Sequence, residues 1–189
     1  KRTVYPVVLM LAIMRTEAIY VPIDYDYPPQ RVGYILEDSQ SKCLFTDQNH
    51  ADERGKDTIK IIVLEELIPT LNKFEFVKKD LPFKEINDAY IMYTSGSTGK
   101  PKGVPINHFQ MMDYTWMIVE MFALNAESIV LQQASLAFDT SIEEIFPALC
   151  AGGRVSIYNE GMSDVDRLLE VLLERKVSLL STVPLILNE

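Results

Sequence analysis

Cysteine and histidine are scarce in this sequence, with two of each among 189 residues. Cys43 and Cys150 stand far apart, and neither has a second ligand pair nearby, whereas a zinc site needs clustered Cys and His. The two read as free thiols, which fits a reducing compartment and therefore the cytoplasm. Basic residues are outnumbered: 18 Lys and Arg stand against 27 Asp and Glu, for a formal net charge of −9. Nucleic acid requires a basic footprint and anionic lipid repels an acidic chain, so neither a nucleic-acid nor a membrane partner is expected. Long apolar runs are missing too. The longest, Val7 to Met14, falls well short of the ~20 residues that cross a bilayer, and it lacks the cleavage pattern of a signal peptide.

What is present is globular. The chain is 48% hydrophobic and 24% charged, a balance that buries a core and argues against disorder. Internal repeats, low-complexity tracts and linkers do not occur, so residues 1–189 read as one body without an internal boundary. Apolar residues crowd both ends, which reads as a piece of a longer domain.

Hydrophobic spacing predicts helices over Val4 to Met14, from Gln30 to Asp38-Ser39, over His108 to Phe122, Ser141 to Leu149 and Asp164 to Arg175. Pro147 is expected to end or kink the fourth of these, and Asp164 or Ser163 to cap the fifth. Tyr20 to Ile23 reads as extended, followed by a turn at Asp24 to Pro29. Strands are predicted at Cys43 to Thr46, Ile59 to Leu64, Ala89 to Tyr93, Ile129 to Gln132, Arg154 to Tyr158 and Val177 to Thr182. Glu65 to Asp88 reads as a surface connection with little regular structure. Strands that alternate with helices imply an α/β fold, a mostly parallel sheet flanked by helices on both faces.

After the Ala89–Tyr93 strand comes Thr94-Ser95-Gly96-Ser97-Thr98-Gly99-Lys100-Pro101-Lys102-Gly103. Glycines let successive backbone N–H groups converge on phosphate oxygens, hydroxyls add neutral donors, and lysine adds a point charge. Ligands of open α/β sheets bind beyond the carboxyl ends of strands, where this loop falls. The spacing excludes a Walker A loop: two residues, not four, separate Gly96 from Gly99, and Pro101 replaces the magnesium-binding hydroxyl. No G-x-G-x-x-G occurs either.

This loop resembles the signature of the adenylate-forming (AMP-binding) superfamily, which includes acyl- and aryl-CoA ligases, luciferases and the adenylation domains of nonribosomal peptide synthetases. Val104, Ile106 and His108 continue the run behind it. Ala18-Ile19-Tyr20-Val21-Pro22-Ile23-Asp24, with Tyr27-Pro28, Arg31 and Ile35-Leu36-Glu37-Asp38-Ser39, resembles an early core motif of amino-acid-activating domains. Phe138-Asp139-Thr140-Ser141, with Glu144 and Pro147 behind, resembles their substrate-pocket motif. Arg15-Thr16-Glu17 departs from the family, which has a small, glycine-containing turn there.

The resemblance implies part of the large N-terminal domain of such an enzyme, a ligase that uses ATP with Mg2+ to turn an amino acid into its acyl-adenylate and pyrophosphate. It implies thioester formation on a peptidyl carrier protein's phosphopantetheine as the next step. Thr94, Ser95, Ser97, Thr98 and Lys102 would then hold the ATP phosphates, with Gly96 and Gly99 giving close backbone approach. Thr94 and Lys102 would be catalytic, and Lys102 is favoured over Lys100. Asp139 would hold the substrate α-amino group, although it also reads as a helix N-cap. Phe138 would flank the site as an aromatic gate, with a core phenylalanine as the rival reading. Thr140 and Glu143 would shape side-chain specificity, an acid at 143 suiting a cationic side chain; an exposed helix glutamate is the alternative. His108 reads as a cap or packing residue. A CoA ligase of the same superfamily and a noncatalytic scaffold remain the other readings. The family's Tyr-Gly-Pro-Thr-Glu motif, ribose-binding Asp and C-terminal lysine are not matched in this sequence.

Overall fold

A computed structural model describes residues 3–51, 59–73, 84–95, 100–159 and 164–182. Helix α1 (Tyr5–Arg15) starts with Pro6 in its first turn, where a missing N–H costs nothing. Helix α2 (Pro29–Asp38) follows the Asp24–Pro28 turn and leads into strand β1 (Cys43–Thr46), which pairs in parallel with β2 (Lys60–Val63). The connection expected to be irregular begins with a short helix α3 (Leu64–Leu67) and a 3-10 helix (Ile68–Lys73). Strands β3 (Asp88–Ser95) and β4 (Pro101–Asn107) form an antiparallel hairpin.

Helix α4 (His108–Met121) opens on a capping box in which Asn107 and Gln110 satisfy each other's backbone N–H groups. Strand β5 (Ile129–Gln132) then leads through a loop to α5 (Thr140–Cys150), and β6 (Arg154–Ile157) returns parallel to β5. Helix α6 (Val165–Glu174) is capped by Asp164, whose carboxylate accepts from Arg167 N–H at 2.9 Å.

β5 shows why helices cover both faces. Val130 and Leu131, adjacent and therefore on opposite faces, are both fully buried. Val130 packs with Ile118 and Val119 of α4 and Ala148 of α5, while Leu131 packs with Leu168 and Val171 of α6. A further cluster sets α1 (Met10, Met14) and α5 (Ile142, Ile145, Phe146) against Ala89, Tyr90 and Met92 of β3. Parallel contacts continue beyond the strands: Tyr20 bridges to Tyr90, and Leu179 to Val130. The last expected strand is thus reduced to a single bridge among the described residues.

Two expectations are corrected. Strand β4 was not anticipated; its Pro101, Gly103 and Pro105 are poor strand formers, tolerated because no described strand pairs with its far side. Pro147 does not end α5, which runs on to Cys150 with Pro147 buried inside. Removing its ring from water offsets the cost of a missing helical bond.

Helices α1, α2, α4, α5 and α6 all stop the same way. In each, the residue after the C-cap is left-handed, and the next N–H reaches back six residues inclusive, as Ala18 N does to Ile13 O at 3.3 Å and Gly153 N to Ala148 O at 2.8 Å. Only α5 puts glycine, Gly152, at that position; the others use Glu17, Gln40, Ala123 and Lys176. The departure noted at Arg15-Thr16-Glu17 is therefore a left-handed glutamate with φ of 59°.

Candidate active site

The phosphate-loop residues divide between described and undescribed positions. Gly96, Ser97, Thr98 and Gly99 lie outside the described residues. Thr94, Ser95, Lys100 and Lys102 are exposed at the end of the β3–β4 hairpin where the chain passes from one strand to the other. Thr94 stands directly opposite Lys102 in the ladder, and directly opposed residues of an antiparallel pair share a face. The Thr94 and Lys102 side chains therefore leave the same face of the hairpin.

The opposite face anchors the hairpin. Tyr93 faces Gly103 across the ladder, and a Cβ on Gly103 would lie 3.1 Å from Cζ of the Tyr93 ring and 3.0 Å from Cγ2 of Ile91. Glycine is needed so that the ring can lie flat over the neighbouring strand. The Tyr93 hydroxyl then reaches the end of α2 and donates to Asp38 Oδ2 at 2.7 Å. Burial, reinforced by this bond, pushes the phenol well above its ordinary pKa, so it stays a neutral donor.

The second cluster lies at the start of α5. Asp139 is the N-cap: its Oδ1 accepts from Thr140 N–H at 2.9 Å and its carboxylate is exposed. The described residues leave it open to solvent. Phe138 is 59% exposed, which removes the core-phenylalanine reading. Thr140 is half-buried. Glu143, one turn after Asp139, is also half-buried, and accepts from the Tyr114 hydroxyl at 2.6 Å and the Ser181 hydroxyl at 2.9 Å.

The residue that holds this cluster in place is Glu144, which has no exposed surface. Its carboxylate accepts from the backbone N–H groups of Gln133 and Ala134, at 3.1 and 3.0 Å, and from Gln132 Nε2 at 3.3 Å. It therefore ties α5 to the loop that delivers Phe138 and Asp139. Ser135 on the same loop donates to Asp24 Oδ2, joining the pocket motif to the early core motif. Sequence reasoning placed Glu144 in the motif without a role; an acid spaced three and four residues before Pro147 and Ala148, on the apolar face of the helix, was the available signal. Tyr114 was missed, since nothing in sequence distinguishes a tyrosine whose hydroxyl has a distant partner.

His108 is buried at the first position of α4, where its N–H donates to Asn87 O at 3.0 Å. The cap belongs to Asn107, so His108 has the packing role. Burial lowers its imidazole pKa, partly opposed by the Glu17 carboxylate. A recess lined by Glu17, Ile19, Ile86, Asn87 and Asp88 lies at the start of β3, away from the Thr94 end.

Comparison with known proteins bears on the fold and the family. The N-terminal subdomain of Klebsiella oxytoca NpsA, solved in complex with 3-hydroxybenzoyl-AMSN, overlays on 95% of this chain with a TM-score of 0.83 and 26% identity, over 44% of its own length. Bacillus subtilis o-succinylbenzoate CoA synthetase overlays on the whole chain with a TM-score of 0.88; at 21% identity this speaks for the fold alone, over 48% of that chain. The fold is thus the α/β fold of adenylate-forming enzymes. Among curated proteins, tyrocidine synthase 3 of Brevibacillus parabrevis is 37% identical over 187 residues, covering 96% of this chain and 3% of that protein. Bacitracin synthase 2 of Bacillus licheniformis is 33% identical over 192 aligned residues, or 100% of this chain and 7% of that protein. The AMP-binding enzyme family matches residues 1–189, and the chain belongs to that family. It spans only a small share of the curated relatives' length and just under half of the solved chains.

Proposed function

We propose that this chain is part of an adenylation domain that activates an amino acid: carboxylate and ATP combine, the carboxylate oxygen bonds to the α-phosphorus, and pyrophosphate departs. Bringing two anions together and spreading charge onto the leaving group sets the barrier, so positioning and electrostatics dominate. Residues 1–189 would form one uninterrupted portion of that domain. The observation that carries the reading is the pair of polar clusters, hydroxyl and lysine at the hairpin end and Asp139 at the start of α5, in a chain related to peptide synthetases.

In this reading Thr94, Ser95 and Lys102 meet the ATP phosphates together with Gly96, Ser97, Thr98 and Gly99 of the same loop. Asp139 pairs with the substrate α-ammonium, and Phe138 lies beside it. Thr140 and Glu143 border the side chain, and the acid suits lysine, ornithine or arginine. Magnesium would arrive with ATP; among the described residues no group of three His, Cys, Asp or Glu forms a protein cage for it. The acyl-adenylate would pass to the phosphopantetheine thiol of a peptidyl carrier protein, and the chain would act in the cytoplasm.

Amino-acid-dependent ATP–pyrophosphate exchange tests the proposal. The intact enzyme should exchange with one or a few amino acids. A second reading, activation of an aryl acid, is favoured by the aryl ligand of the NpsA complex. The two separate on Asp139, since an acid without an amino group gives that carboxylate no partner. Exchange with an aryl acid alone would replace the first reading by the second, and no exchange with any acid in the intact enzyme would leave the scaffold reading.

A further inference from the structure

Asp139 and Glu143, the carboxylates at the start of α5 that are not fully buried, are held in different ways. Asp139 takes its hydrogen bond from the next residue of its own helix. Glu143 takes both of its bonds from hydroxyls on other elements, Tyr114 of α4 at Oε2 and Ser181, beyond the Leu179 bridge, at Oε1. Ser181 is fixed in turn, because its carbonyl accepts from Gln133 Nε2 just after β5. A continuous hydrogen-bonded path therefore links α4, α5, the segment beside β5, and the residue that follows β5.

An ionised carboxylate offers about four acceptor positions. Two neutral hydroxyls fix its plane, leave acceptor positions open, and cancel none of its charge. Among the described residues, Glu143 has no ion pair. Tyr114 is suited to the task. Tyr114 is 42% exposed, yet partial burial of its phenol, then the bond to Glu143 and the charges of Glu143 and Asp139, push it up to about 12, so it donates throughout the neutral range.

We propose that Tyr114 is a specificity-determining positioning residue, whose hydroxyl, with Ser181 as second anchor, fixes the Glu143 carboxylate towards the substrate side chain. This rests on the reading above, in which Glu143 borders that side chain. A purely structural tyrosine would affect every substrate alike, with or without Glu143. A positioning tyrosine acts only through Glu143.

The test is a double-mutant cycle in the intact enzyme, comparing Tyr114→Phe, Glu143→Gln and the double variant by pyrophosphate exchange with the preferred amino acid. Tyr114→Phe should raise the KM for that amino acid about tenfold, as one lost bond to a charged group does. The maximal rate and the KM for ATP should stay near wild type. Added to Glu143→Gln, the same change should shift the amino-acid KM less than about twofold. Equal shifts in both backgrounds, or an unchanged KM in Tyr114→Phe, overturn the proposal. Should Tyr114→Phe fail to fold, Ser181→Ala run through the same cycle judges the path from its other anchor. A wild-type preference for a neutral amino acid would remove the cationic assignment alone, and the cycle on that amino acid still decides Tyr114. Exchange only with an aryl acid would overturn amino-acid activation, and the cycle on that acid decides Tyr114 likewise.

Discussion

The hairpin end and the start of α5 present their polar groups by opposite means. At the hairpin, Thr94 and Lys102 are exposed, and the contact of Thr94 Oγ1 with the Lys102 carbonyl is long, at 3.5 Å. At α5, Glu143 and Glu144 are bound by donors from several elements. The first arrangement relies on a ladder for placement and leaves its side chains able to follow a shifting charge. The second locks its side chains before a ligand arrives, which lowers the ordering cost of recognition. Phosphates are alike in every ATP, whereas a substrate side chain has to be told from its competitors. The locked cluster is the one expected to discriminate.

The sharpest break in that comparison is Asp139→Ala. If Asp139 pairs with a substrate ammonium, the change should lower kcat/KM for the amino acid by about two to three orders of magnitude, the scale of stranding one partner of a desolvated charge pair. Aryl-acid activation, where present, should be spared. Glu144→Ala comes next and is read as stability: stranding the N–H groups of Gln133 and Ala134 should cost about 3 kcal/mol in urea unfolding, while Glu144→Gln, which keeps an acceptor, should cost less than half as much. Ser97→Ala with Lys102→Ala should slow exchange about tenfold or more and leave the thermal midpoint nearly unchanged, because Lys102 is exposed. Unchanged exchange in that double variant would remove the hairpin from the phosphate site. The smallest effect is Glu17→Gly, expected to stabilise by roughly 0.5 kcal/mol. A left-handed non-glycine residue costs about 1–2 kcal/mol, and glycine's larger unfolded-state entropy returns part of that.

The elements legible in sequence were those whose pattern is set by burial. β5 was placed at Ile129–Gln132 because both of its faces are covered, and α6 because its apolar stripe repeats cleanly. β4 escaped because two prolines and a glycine mask a strand that pairs on one side only among the described residues. Pro147 shows the converse: local propensity opposes it, yet α5 continues to Cys150 because packing against the core outweighs propensity. Thr94, Lys102 and Asp139 were proposed from motifs, and each lies at or next to an element end, where a motif has local geometry. Tyr114 and Ser181 were invisible because their shared partner, Glu143, lies 29 and 38 residues away. Contacts of that range follow from topology, which no local window contains.

The Glu144 tether also bears on the order in which the molecule assembles. Its bonds to Gln133 and Ala134 close loops of only 11 and 10 residues, whereas Ser135 meets Asp24 across 111 residues and Tyr93 meets Asp38 across 55. Short loops close at a lower entropic cost, and local contacts form sooner. β5 and α5 are therefore expected to join early in folding, presenting Asp139 on a formed helix before the N-terminal segment docks. Truncating Glu144 should then slow refolding as well as weaken the native state, while removing the Ser135–Asp24 contact should chiefly speed unfolding.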